Sequence, residues 1–299
     1  MNKHTQNRLV SAKVLLFSTI TLIASPLYAA EEAETPAPAT NKLAGNISSQ
    51  TAHIIGIGDQ QRYHSRYVSI QRLKGDAQPA DLEAYLQFLG KPLAESPLDV
   101  GELAALKNDV ADYLLKQKQN PGDLARRFLE LLKDSRQTIV WREYILQKLP
   151  EAHQNVQSPE LRAQLIQALW AHTTDETTVN ASTALLSLHR LYTTQAPNAD
   201  ISAKQLESAI HELVNDSDTK AANRATALHL LANLNADAAY RIAQTWLQQD
   251  QPATMRMVAA YRVGEHGDAQ DRKLLEPLRL HSDIRIRHSA KEALKKLTP

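Results

Sequence analysis

The 299-residue chain predicts an all-α fold, arranged as a stack of antiparallel helix pairs. Three observations predict it. From about residue 60 onward, apolar residues recur at i, i+3, i+4 and i+7, the period of a helix with one buried face. Gly (9 residues) and aromatics (5%) are too scarce for the tight turns and pleated faces of a sheet-rich chain. Alternate segments close at Leu149, Leu191, Leu234, His266 and Leu297, with gaps of 42, 43, 32 and 31 residues. Periods of that size mark helix pairs that bury their apolar stripes only by stacking on neighbours.

The first thirty residues have the order of a secretory signal peptide. Lys3, Arg8 and Lys13 precede an apolar or hydroxyl run of eleven from Val14 to Ala24, and Ser25–Ala30 supplies Pro26 and small residues. The run is shorter than the roughly 20 residues that a membrane span needs. Residues 1–29 are therefore expected to be removed, with cleavage after Ala29 or Ala30 and no integral membrane segment afterwards. No Cys follows, so a lipoprotein anchor is excluded. The expected location is periplasmic or secreted. Residues 1–29 hold three of the 34 Lys+Arg and none of the 33 Asp+Glu, which leaves 31 against 33, a net charge of −2. Near-neutrality gives no support for nucleic-acid binding. The lack of Cys removes disulfides, cysteine-ligated zinc and a thiol nucleophile.

Residues 30–50, rich in acids, Pro, Ala and Ser, read as a flexible linker. Residues 51–59 (TAHIIGIGD) are ambiguous, a short strand or an irregular lead-in. Their Gly-x-Gly lies in no βαβ unit and carries no weight as a phosphate loop. Residues 51–119 form an N-terminal helical region, with faces such as Leu82, Tyr85, Leu86, Leu89 and then Leu103, Leu106, Val110, Tyr113, Leu114. Residues 120–299 continue the series from Leu124, Phe128, Leu131 and Leu132 to Ile286, Ala290, Ala293, Leu294 and Leu297. Start signals accompany these faces. Ser158-Pro159 offers an N-cap with Pro at the first helical position, and Ser202 with Gln205 fits a capping box. Asp134, Asp218 and Asp283 stand ahead of periodic segments, where an acid accepts orphan N–H groups.

Arg224, Arg256 and Arg287 hold equivalent places. Each is followed at +3 by Ala227, Ala259 or Ala290, and at +7 by Leu231, Val263 or Leu294. The closing stretch Asp283-Ile-Arg-Ile-Arg-His-Ser-Ala-Lys-Glu-Ala-Leu-Lys-Lys-Leu297 resembles a HEAT repeat of the phycobilisome-lyase-like kind. Asp134-Ser-Arg136 with Trp141–Leu149, Arg224–Leu234 and Arg256–His266 resemble it in part. The resemblance covers residues 120–299 and implies a right-handed, HEAT/armadillo-like α-solenoid with a concave binding surface. It implies no single activity, since function lies on the presented surface.

Candidate chemistry is sparse. Glu207 and His211 share a helix face at i, i+4, without a third metal ligand at convincing spacing. Gly264-Glu265-His266-Gly267-Asp268 gathers an acid, a base and two glycines at a helix end. It is read as a C-terminus with Gly267 in the left-handed conformation, or alternatively as a ligand pocket. Trp141 and Trp246 fall on apolar stripes and read as core, while Trp170 stays open. The recurring Arg224, Arg256, Arg285 and Arg287 read as structural partners of cap acids such as Asp218 and Asp283. Together with His288 they are also the candidate partner-binding row. No nucleophile–base signature, metal site or cofactor motif is found. The expected function is a non-catalytic scaffold or adaptor that binds a protein partner in the cell envelope. The alternative is an enzyme or a cofactor- or ligand-handling accessory protein with a pocket near His266.

Overall fold

The structure, a computed structural model, describes residues 47–57, 62–174, 179–194 and 200–297. The expected signal peptide, residues 1–29, and most of the expected linker lie outside the described residues. Those that are described form an all-α fold of fourteen α-helices. These are α1 (Ser49–Ile55), α2 (Tyr63–Gln71), α3 (Pro79–Leu89), α4 (Val100–Leu115), α5 (Pro121–Lys133), α6 (Ile139–Asn155) and α7 (Pro159–Ala171). They continue with α8 (Val179–Thr194), α9 (Ala203–Asn215), α10 (Ala221–Leu234), α11 (Ala236–Gln248), α12 (Ala253–His266), α13 (Arg272–Leu275) and α14 (Ile284–Lys296). No helix among the described residues is long and apolar enough to cross a membrane.

Each even-numbered helix from α2 to α12 packs on the next even-numbered one, and odd-numbered helices pack against their sequence neighbours. One core therefore runs from Ile54 to Leu297, filled by Leu, Ala and Ile. Small residues set the spacing between helices. Ala259 and Ala260 on α12 and Ala290 on α14 are fully buried, so the backbones can approach closely. Trp141 and Trp246 are core residues as expected, and Trp170 is half-buried against the same core.

Local capping follows the sequence signals in part. Ser158 Oγ accepts the Leu161 N–H, Ser202 Oγ accepts that of Gln205, and Asp283 accepts that of Arg285. Five expectations need correction. Residues 51–55 are helical rather than strand or lead-in, because α1 is capped by Ser48 and closed by Gly56 in the left-handed region at φ 78°. Helix α1 also begins two residues inside the expected linker. Asp134 closes α5 instead of opening α6, whose N-cap is Thr138; Asp216, not Asp218, organises the turn before α10 by accepting the Asp218 N–H and the Thr219 hydroxyl. Gly267 is extended (φ −82°, ψ 175°), not left-handed. What demands glycine there is space, since a Cβ would lie 2.4 Å from Asp271 Oδ2 and 2.5 Å from the Val263 carbonyl.

Candidate functional site

The recurring arginines come first, because the sequence offered them as a binding row. Arg224, Arg256 and Arg287 are each the fourth residue of their helix. From there the side chain reaches back to the chain that precedes the helix. Arg224 Nε donates to the Val214 carbonyl (2.9 Å) and lies over the Trp246 ring, and Arg256 Nη2 donates to the Gln249 carbonyl (3.1 Å). Arg287 Nη1 donates to the carbonyls of His281 (2.7 Å) and Ser282 (2.8 Å). Of the expected pairs with cap acids, that of Arg285 with Asp283 is formed at the surface (2.6 Å), whereas Arg224, Arg256 and Arg287 pair with neither Asp218 nor Asp283. The same register holds Arg66, donating to Ile54 O (2.7 Å), and Arg162, donating to Val156 O (2.7 Å). These guanidiniums satisfy carbonyls that a helix end leaves without intrahelical partners. Three of the five candidate binding residues are thus committed within the fold, which leaves Arg285 and His288 on its surface.

The face of the even-numbered helices carries a different row. Arg262 on α12 is 5% exposed, and its Nη2 donates to His229 Nδ1 on α10. Its Nη1 donates to Glu265 Oε2 (2.7 Å). Lys296 on α14 lies 3.9 Å from Glu265 Oε1 and 4.2 Å above the ring of Tyr261, which is itself 46% exposed. On the other flank, His189 of α8 has a buried Nε2 with no hydrogen-bond partner among the described residues. Burial, then the neighbouring His229, lowers the His189 pKa; burial, then Arg262, lowers that of His229. His229, Arg262, Glu265 and Lys296 therefore bridge α10, α12 and α14, and His189 on α8 is coupled to His229 electrostatically. His288 lines a 230 Å³ crevice beside this row, with Tyr261, Ser289, Glu292 and Lys296.

Toward α2 the same face changes sign. Asp109 and Glu102 on α4 stand near Tyr63, Asp112 on α4 pairs with Lys148 of α6, and Glu143 on α6 accepts the Thr183 hydroxyl (3.2 Å). Burial raises the carboxyls of Asp109 and Glu143, and the Tyr63 phenol is raised by burial and then by Asp109.

The remaining sequence candidates separate. Glu207 and His211 do not pair: Glu207 accepts from Asn235 Nδ2 (2.6 Å), and His211 Nδ1 lies 3.0 Å from Asn215 Nδ2. His266 ends α12 in an exposed position and lines neither the 230 Å³ crevice nor a larger 590 Å³ cleft between α4 and α7. Among the described residues, no group of three or more His, Asp or Glu is placed to hold a metal.

One buried cation escaped sequence reasoning. Lys107 on α4 is 2% exposed, and its Nζ donates to the Lys91 carbonyl (2.6 Å) and to Gln137 Oε1 (2.9 Å). Gln137 Nε2 donates to Gly90 O (2.9 Å), Trp141 Nε1 to Leu89 O (3.1 Å) and Arg127 Nε to Leu86 O (3.1 Å). Side chains from α4, α5, α6 and the turn before α6 thus satisfy the carbonyls at the C-terminal end of α3. Burial, with Arg127 nearby, pushes the Lys107 amine down to about 7.

No family model matches the chain, the phycobilisome-lyase-like family included, and no curated protein matches it. Among solved structures it is similar to human deoxyhypusine hydroxylase in complex with glycerol, at 18% identity over 83% of this chain and 84% of that one, with a TM-score of 0.36. No residue role or activity transfers at that level of likeness.

Proposed function

We propose that this protein is an exported, non-catalytic adaptor of the cell envelope that binds a protein partner along its even-numbered helices. In this reading the chain is a HEAT-like, right-handed α-solenoid, the even-numbered helices line its concave surface, and residues 1–29 direct export to the periplasm or beyond. The observation that carries the reading is the row His189–His229–Arg262–Glu265–Lys296. The row spans four even-numbered helices, and contacts cross the joints from α10 to α12 and from α12 to α14. Such a row is long, open and of mixed polarity, which suits an extended protein surface better than a small molecule. The acidic, tyrosine-bearing end toward α2 would fix the direction in which the partner lies. Arg285 and His288, at the rim of the last helix, belong to the same proposed surface.

The test is crosslinking of residues 30–299 in an envelope extract, read by mass spectrometry, with Lys296→Glu and Glu265→Lys run in parallel. A partner whose crosslinks map to α8–α14 and are lost in both variants supports the adaptor. Crosslinks that map elsewhere and survive both changes overturn it.

A further inference from the structure

A second cleft takes no part in the row described above. It has a volume of about 590 Å³ and opens between the turn from α4 to α5 and the turn from α6 to α7. Twelve residues line it, among them Lys116, Lys118 and Arg126, and none of the twelve is Asp or Glu. In a chain with 34 cationic and 33 acidic side chains, three cations and no acid around one cleft is a local excess of positive charge.

Its floor is fixed. Gln117 is buried, with Oε1 accepting the Ala77 N–H (2.7 Å) and Nε2 donating to the Tyr113 carbonyl (3.1 Å). Asn155 Nδ2 donates to the Leu115 carbonyl (2.7 Å), which ties the end of α6 to the end of α4. Neighbouring carboxylates are already engaged. Asp123 pairs with Arg126 (2.6 Å), and Glu160 accepts the Ser158 hydroxyl (2.7 Å). Lys116 and Lys118 have no acid partner among the described residues. They are exposed, so no demand of the core explains their placement.

We propose that this cleft is an anion site that takes a ligand bearing phosphate groups. Lys116 and Lys118 supply the point charges, Arg126 contributes the donors that its pair with Asp123 leaves free, and Gln157 stands on the opposite wall. The cleft volume matches an organic phosphate or the headgroup of an acidic phospholipid, and the two sources share this chemistry. The proposal is independent of the adaptor reading, since the two surfaces share no residue.

The test uses the full chain. Inorganic pyrophosphate is titrated at physiological ionic strength while amide chemical shifts are followed, and sedimentation with phosphatidylglycerol vesicles is measured alongside. Saturable shifts at Lys116, Lys118, Gly122 and Gln157 are expected, weakened at least about tenfold in Lys116→Gln/Lys118→Gln, because each lost charged hydrogen bond removes that order of affinity. Lys204→Gln/Lys273→Gln, at two exposed lysines outside both surfaces, should bind as the parent does. Pyrophosphate saturation assigns a soluble phosphate; vesicle binding alone, lost in the Lys116/Lys118 variant, assigns a lipid headgroup. If neither probe binds, or both double variants respond alike, the site does not exist.

Discussion

Gly264 on α12 faces Ala293 on α14 so closely that a Cβ added to Gly264 would stand 2.6 Å from the Ala293 Cα and 2.7 Å from its Cβ. The contact is backbone against backbone, so no flexible side chain can yield to relieve it. The last two even-numbered helices need a notch there, and Gly264 provides it. Gly264→Ala should therefore push α14 away and lower stability by about 1–3 kcal/mol, despite the better helix propensity of alanine. Hydrogen exchange over residues 284–296 should rise, and denaturant unfolding should shift to lower concentration. An unchanged or raised midpoint would mean that the helices are not packed this tightly.

The fourth-residue arginines should behave as structural groups. Arg224→Met keeps the aliphatic packing against Trp246 but leaves the Val214 carbonyl without its donor. A cost of about 1–3 kcal/mol in unfolding free energy is expected. Partner capture along α8–α14 should survive wherever the variant is folded, while Lys296→Glu should lose capture and keep stability. The opposite pattern would return Arg224 to the binding surface.

Much of this fold was legible because a 3.6-residue period is local: Leu103, Leu106, Val110 and Leu114 disclose a buried face without reference to the rest of the chain. The arginine register was legible only where Ala and Leu or Val accompany it, at Arg224, Arg256 and Arg287. At Arg66 and Arg162 the companions differ, and the acceptors are backbone carbonyls, which carry no residue identity to read. The His229–Arg262 contact joins positions 33 residues apart. It depends on the rotational phase of α10 against α12, and no single-helix pattern fixes that phase. Lys107 was hidden for a related reason, since a lysine within an apolar face reads as an interruption until the end of α3 is seen to provide its acceptors.

The histidine joint gives stability a pH dependence. His189 on α8 and His229 on α10 have lowered pKa values in the folded protein, with Arg262 and Glu265 of α12 and Lys296 of α14 as the charged groups on this row. The unfolded chain, with histidines near 6.5, takes up protons before the folded protein does. Stability from this joint is therefore present above about pH 6.5 and lost as pH falls below it. Protonating His229 also turns Nδ1 from acceptor to donor and sets it against Arg262. Urea midpoints between about pH 5 and 7.5 should fall more steeply toward acid in the parent than in His189→Gln/His229→Gln. Equal slopes would show that these rings do not titrate differently on folding.

Lys107 sets a second window on the alkaline side, and its sign follows from the same linkage. Its amine sits at about 7 in the fold, whereas in the unfolded chain it is near the ordinary lysine value of roughly 10.4. Between those values the unfolded state holds the extra proton, so stability gains from each step up in pH. Below about 7 the folded protein carries a buried ammonium, held by Lys91 O, Gln137 Oε1 and the Trp141 face. Lys107→Met removes the titration but strands those two oxygen acceptors, so its stability at neutral pH should drop by about 1–3 kcal/mol. Urea midpoints of the variant should stay flat between about pH 7.5 and 9.5 while those of the parent rise. A parent curve that is flat over that range would mean that the carbonyls at the end of α3 keep the ammonium charged, and that the positive charge is part of what closes that helix.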